Sequence, residues 1–275
     1  MLRLLIFVFV MLLCLRVQSG VNEEVHERNR SLPDYEALHV LVNTAEKPIF
    51  WLFVGDSITH GCLHTHGGRS FAEHWMELVK WEVMPRPKHR RTNDLVLNAG
   101  VSGETATGFL QNAAWRLEQF RPQVVFINFG INDATRYGDT AAFRAALSEI
   151  VQRVRAQGAI PVLQTPSLTL AARADRPLYA QSVRMVAEEH RVLLVDHTAV
   201  WEELAGQPGA SFGETPTSVP APRALMNNDL HPNAAGHLQM ADALARSLGL
   251  APRHSPTLQR VKGASDASTN RQTTR

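Results

Sequence analysis

Apolar positions along the chain fall into short unbroken runs separated by longer, periodically apolar segments. The first internal run, Ile49-Phe50-Trp51-Leu52-Phe53-Val54, is six residues long and stops at Gly55. It is too short for an ordinary helix and apolar at every position, so it predicts a strand covered on both faces, as in a parallel sheet. Four more runs behave alike: Leu95 to Asn98 before Gly100, Val124 to Asn128 before Gly130, Ala159 to Pro166, and Val192 to Val195 before Asp196-His197. Between them, 3.6-residue spacing predicts helices over about 71–83, 105–120, 140–157 and 178–190. Ser70 is placed to cap the first, where Phe71, Trp75, Leu78 and Val79 share a face, and Gly158 to end the third. Trp115, Leu117 and Phe120 are expected in the core. A last helix, carrying Ala235, Leu238, Met240, Ala241 and Leu244, follows Pro232 in its first turn. Five β/α alternations predict one α/β domain around a parallel sheet.

The two ends read differently. Arg3 is followed by an apolar run from Leu4 to Leu15, closed by Arg16. That run is about half of the ~20 residues needed to span a bilayer, so 1–19 reads as a signal peptide cut near Ser19, with an uncleaved anchor as the alternative. Leu13 stands before Cys14 where a lipoprotein would carry a small residue. The expected destination is the periplasm or the cell exterior, with no stable membrane insertion after cleavage. Residues 20–48 are mixed and polar and read as a surface arm, with a short helix over about 34–42 packing on the domain. The domain follows over 49–250, and 251–275 is a polar tail without apolar periodicity, expected to be disordered.

Composition narrows the partners. The whole chain has 275 residues and a formal charge of +2. Loss of 1–19 removes two arginines and no acid, leaving 26 basic and 26 acidic residues. With no Lys/Arg stripe either, nucleic acid is not an expected partner. Cys62 is the single cysteine after the cut, which excludes an internal disulfide framework.

Candidate chemistry clusters at strand ends. Gly55-Asp56-Ser57 follows the first strand, at the sheet edge where open α/β folds bind ligands. All three residues also favour plain turns. A serine nucleophile needs a base to take its proton, and a carboxylate to orient that base. Asp229 and His231, two residues apart before the last helix, supply both types. Asp196-His197 is the rival pair, without the intervening residue and followed by a further helix. The Gly100 N–H and the Asn132 amide lie on the same edge as Ser57 and are candidate donors to a tetrahedral oxyanion.

Taken in order, Gly55-Asp56-Ser57, Gly100 after Asn98, Gly130-x-Asn132-Asp133 and Asp229-x-His231 resemble the four blocks of the SGNH (GDSL-type) hydrolase family, over roughly 50–248. The resemblance implies a flavodoxin-like three-layer α/β/α sandwich and a serine esterase needing no metal or organic cofactor. It implies Ser57 as nucleophile, His231 as base and Asp229 as its orienting acid, with Ser57 N–H, Gly100 N–H and Asn132 as the oxyanion hole.

The remaining features bear on substrate. His60, His64 and His66 lie in a polar loop after Ser57. Their spacing lacks a carboxylate or thiolate partner, so they read as substrate-cleft lining or exposed loop rather than a metal site. Asp133 reads as a cap or loop brace. The stretch 205–228, rich in Pro, Gly, Ser and Thr, is long enough to line a pocket. A polar loop and no long amphipathic lid favour a small acyl group, such as acetyl, on a carbohydrate. A lipid acyl ester or thioester is the alternative within the class. An acyltransferase, or a non-catalytic carbohydrate-binding protein on the same fold, are the alternatives beyond it.

Overall fold

The computed structural model describes residues 20–61, 64–82, 91–136, 138–170, 176–206, 221–251 and 255–258. The expected signal segment, Cys62, most of the 205–228 stretch and most of the tail lie outside the described residues. In chain order the elements are α1 (Gly20–Arg30), α2 (Pro33–Thr44), β1 (Phe50–Gly55), α3 (Ser57–His60), α4 (Phe71–Glu77), β2 (Leu95–Asn98), α5 (Ala106–Gln111) and β3 (Val124–Asn128). There follow α6 (Ile131–Arg136), α7 (Thr140–Ala156), β4 (Ile160–Gln164), α8 (Arg176–Glu189), β5 (Leu193–Val195), α9 (His197–Leu204) and α10 (Ala234–Ser247).

All five strands pair in parallel, in the order β2-β1-β3-β4-β5. Successive side chains of a strand point to opposite faces, which divides the core in two. Trp51, Phe53 and Phe126 pack with Phe71 and Trp75 of α4 and with α2, α9 and α10. Leu52, Val54 and Ile127 pack on the other side with α5, α7 and α8. The three-layer α/β/α sandwich is therefore as expected. Phe53 and Phe126 stack with centroids 4.3 Å apart, and Trp51 meets Trp75 edge-on at 5.5 Å. Each such fully buried ring contributes roughly 2–3 kcal/mol of transfer free energy.

Strand order places the site. The chain runs from β1 outward to β2 and returns across it to β3, so connections leave β1 and β3 in opposite directions at their carboxyl ends. That switch point opens a crevice at the end of β1. Ser57 begins there.

Three expectations need correction. Residues 20–48, read as a surface arm, reach into the core at α1: Asn29 is fully buried, donating to the carbonyls of Leu194 and Ser247 and accepting from the Leu194 N–H. Arg28 adds bonds to Val192 O and Ala187 O. The buried residues of α1 are Asn22, Val25 and Asn29, a polar stripe that hydrophobic periodicity does not register. Trp115 is 57% exposed, because the helix expected over 105–120 breaks after Gln111 and resumes as a π-helical turn, Ala114–Glu118. The wider turn buries Leu117 and Arg116 and turns Trp115 outward. Pro232 precedes the last helix rather than entering it, and Asn233 is its N-cap, accepting from the N–H groups of Ala235 and Gly236. Ser70 does cap α4, in a reciprocal capping box with Glu73.

Candidate active site

The turn that carries Ser57 is made by its neighbours. A Cβ at Gly55 would stand 2.1 Å from Thr59 Oγ1 and 2.5 Å from Asn128 O, so only glycine lets α3 fold back against β1 and β3. Asp56 caps α3 by accepting from the Ile58 N–H at 2.9 Å. Asn98, at the end of β2, holds the other end of the turn by donating to Thr59 O at 2.7 Å. Gly100 packs against the same turn, where a Cβ would meet His60 N at 2.4 Å. Ser57 N–H is one of the first N–H groups of α3, which a helix leaves without an intrahelical acceptor.

His231 arrives from the far end of the sequence on a closed turn. Met226 and Pro232 form an antiparallel bridge, and Asn227 N–H donates to His231 O. His231 Nε2 lies 2.9 Å from Ser57 Oγ. The nucleophile and base expected from sequence are thus in direct contact, 174 residues apart. Burial, aided by the neighbouring His64, lowers the His231 pKa to about 4, so the ring is a neutral acceptor at neutral pH.

The other expected site residues divide. Asp229 does not reach the His231 ring: its side chain is 81% exposed, with the carboxylate 3.8 Å from Arg223. The atom at His231 Nδ1 is Asn228 Oδ1, at 3.1 Å. Gly100 and Asn132 lie on the sheet edge of Ser57, with their donors engaged: Gly100 N–H gives to Asn98 Oδ1 and Asn132 Nδ2 gives to Glu104 O. The Asn132 amide keeps a second hydrogen, whereas Gly100 must exchange its partner to serve an oxyanion. Asp133 is the expected brace, tying Gly130 N–H and Ala106 N–H together with its two oxygens.

The histidine loop docks on the catalytic turn. His64 stacks on His231, and His66 Nε2 lies 2.5 Å from Asn227 Oδ1. His60 ends α3 and its charge bears on His64. Among the described residues no group of three or more His, Cys, Asp or Glu side chains is arranged to hold a metal ion, and no helix is long and apolar enough to cross a membrane. The rival pair is committed elsewhere. Asp196 takes a bidentate ion pair from buried Arg184 and caps α9 at Ala199 N–H, while His197 Nε2 meets Gln164 Oε1 at 2.9 Å.

Residues 53–238 match the sequence pattern of the family described as GDSL-like Lipase/Acylhydrolase. The chain belongs to that family. It is 28% identical over 218 residues to an acetylxylan esterase of Geobacillus stearothermophilus, which covers 72% of this chain and 93% of the relative. It is 31% identical over 108 residues to esterase TesA of Pseudomonas aeruginosa, covering 39% of this chain and 49% of the relative. A crystal structure of a catalytic mutant of Axe2, an acetylxylan esterase from Geobacillus stearothermophilus, shares the fold at a TM-score of 0.58 and 22% identity, over 77% of this chain and all of that one. LAE5, an enzyme from the metagenome of Lake Arreo, does so at 0.58 and 23%, over 76% of this chain and 98% of the other. The GDSL-type protein described here is a carboxylic ester hydrolase.

Proposed function

We propose that this family member is an exported serine esterase that removes short acyl groups, acetyl foremost, from carbohydrate. The observation that carries the reading is the 2.9 Å contact between Ser57 Oγ and His231 Nε2. As the Ser57 oxygen bonds to the acyl carbon, His231 takes the hydroxyl proton. The same ring then protonates the leaving alcohol, and water attacks the acyl-enzyme with His231 again as base. Ser57 N–H, Asn132 and a released Gly100 N–H are the donors for the oxyanion.

Two observations support a sugar acetate as substrate. The flank of the base is built from histidine and asparagine side chains, His64, His66 and Asn227, which suit hydroxyl groups better than a hydrocarbon chain. The likeness over 218 residues is to an acetylxylan esterase. Export rests on the apolar run after Arg3.

Release of p-nitrophenol from acetate and long-chain esters, by wild type and Ser57→Ala, tests the reading. Acetate cleavage lost in Ser57→Ala, followed by acetate release from acetylated xylo-oligosaccharides, is the expected result. A long-chain preference replaces the sugar ester with a lipid. Equal rates in the variant remove Ser57 as nucleophile. N-terminal sequencing of protein recovered outside the cytoplasm tests the cut near Ser19.

A further inference from the structure

The atom facing His231 Nδ1 belongs to an amide, and its identity is fixed by hydrogen bonding. Asn228 Oδ1 lies 2.9 Å from the Leu230 N–H, 2.8 Å from the His231 N–H and 3.1 Å from His231 Nδ1. Backbone N–H groups only donate, so the side-chain atom they share must be the oxygen and not the NH2. That oxygen can meet Nδ1 only if Nδ1 carries hydrogen. Nε2 then presents its lone pair to Ser57 Oγ, which is the tautomer a general base needs.

Asp229 is held away from this arrangement. Its carbonyl accepts from the Leu170 N–H at 2.9 Å, and its carboxylate lies on the outer side of the turn beside Arg223. The Asn228 side chain folds forward over the next residues, a turn closure common to Asn and Asp, and so fills the place beside the ring.

We propose that Asn228, not Asp229, is the positioning residue for His231, and that this esterase works with a Ser-His-Asn arrangement whose base is oriented by an uncharged side chain. An amide fixes the ring's direction and tautomer as a carboxylate does. It adds no negative charge to stabilise the imidazolium that forms during attack, so the base stays weak. The groups around the ring agree with that: His64 stacks on one face, His237 is buried and neutral, and Asp229 and Arg223 offset each other outside the turn.

This inference rests on the serine-esterase reading, and the test separates the two. Hydrolysis of p-nitrophenyl acetate by the purified protein is followed from about pH 3.5 to 8, with samples quenched into base before reading. Asn228→Asp keeps the accepting oxygen and adds charge, so the acid limb of kcat/KM should move up by about one pH unit and kcat rise about tenfold. Asn228→Ala should lower kcat roughly a hundredfold with KM within about threefold, whereas Asp229→Ala should stay within about threefold in both. Because Asn228→Ala also removes two backbone partners, Asn228→Asp is the variant that keeps the fold. An acid limb unmoved in Asn228→Asp, or a kcat more than about tenfold lower in Asp229→Ala, overturns the proposal while Ser57-dependent activity persists. Activity that survives in Ser57→Ala removes the esterase reading and this inference with it.

Discussion

The imidazole rings of His64 and His231 lie 3.5 Å apart between centroids and 8° from parallel. One comes from the loop after the nucleophile and the other from the turn before the last helix, so the stack closes the site across most of the sequence. It covers the base on one face and contributes to lowering its pKa. Offset or parallel ring contacts of this kind are worth about 1 kcal/mol. His64→Ala should therefore lower kcat about fivefold to tenfold and carry the acid limb of kcat/KM upward, toward the ordinary histidine range. His64→Phe keeps a flat ring in place, and should hold kcat within about threefold of wild type. Steady-state kinetics of both variants against pH checks this; identical profiles for wild type and His64→Ala would make the stack incidental.

The pH dependence of the wild type follows from the same ring. His231 acts as a base only when neutral, and burial lowers its pKa to about 4. Protonation thus removes the base only as pH falls through about 4. kcat/KM should be flat from neutrality down to about pH 5 and half-maximal near the folded-state pKa. A limb at about 6.5, the value of a free imidazole, would mean that the ring is solvated during turnover.

Much of the site was legible in sequence because strand ends are marked by composition. Each of the five apolar runs fell on a strand, and Gly55 and Gly100 stood where side chains would collide with the Ser57 turn. The Ser57–His231 contact was legible because few residue types can serve as nucleophile and base. The orienting residue was not, since Asn228 and Asp229 are adjacent and polar, and only the turn's own hydrogen bonds decide which one folds inward. Helix α1 escaped for a related reason: its buried stripe is partly asparagine, satisfied by strand and helix backbone rather than by apolar contact. Trp115 was misplaced because a π-helical turn shifts the 3.6-residue register by part of a turn.

Asp94 should matter for stability and not for chemistry. Its carboxylate accepts from Ile49 N–H, Trp51 Nε1 and Arg91 Nε, at the end of the sheet opposite Ser57. Arg91 also donates to Ala45 O and Lys47 O, so it fastens the chain entering β1. Both side chains are nearly inaccessible, at 5% for Arg91 and 1% for Asp94. Asp94→Ala leaves a buried guanidinium without its counter-charge and should cost roughly 3–5 kcal/mol. Urea unfolding should show the loss while kcat per folded molecule is unchanged at 25 °C; a midpoint equal to wild type would disprove the lock.

Asp56 couples the nucleophile's turn to pH in the opposite sense to the buried histidines. Burial chiefly, with a contribution from Asp133, pushes its pKa up from 3.8 to about 7. Between those values the folded state keeps a proton that the unfolded chain has released. The stabilisation this gives is complete below 3.8 and lost as pH rises toward about 7. His197 and His237 stay neutral in the fold down to about 4 and about 3, although the unfolded chain takes up their protons at 6.5. They therefore lower stability as pH falls from 6.5, and the two slopes offset each other over the window they share. Asp56→Asn retains an oxygen for the Ile58 N–H and cannot titrate. The variant should gain on wild type as pH rises from about 4 to 7, by an amount on the order of a few kcal/mol. Its own stability should fall more steeply than that of wild type on acidification, because the histidine slope is no longer countered. Urea midpoints at three pH values across the window measure the difference directly. A difference that does not change with pH would place an ionised carboxylate at Asp56 and reverse its assignment as a buried neutral acid.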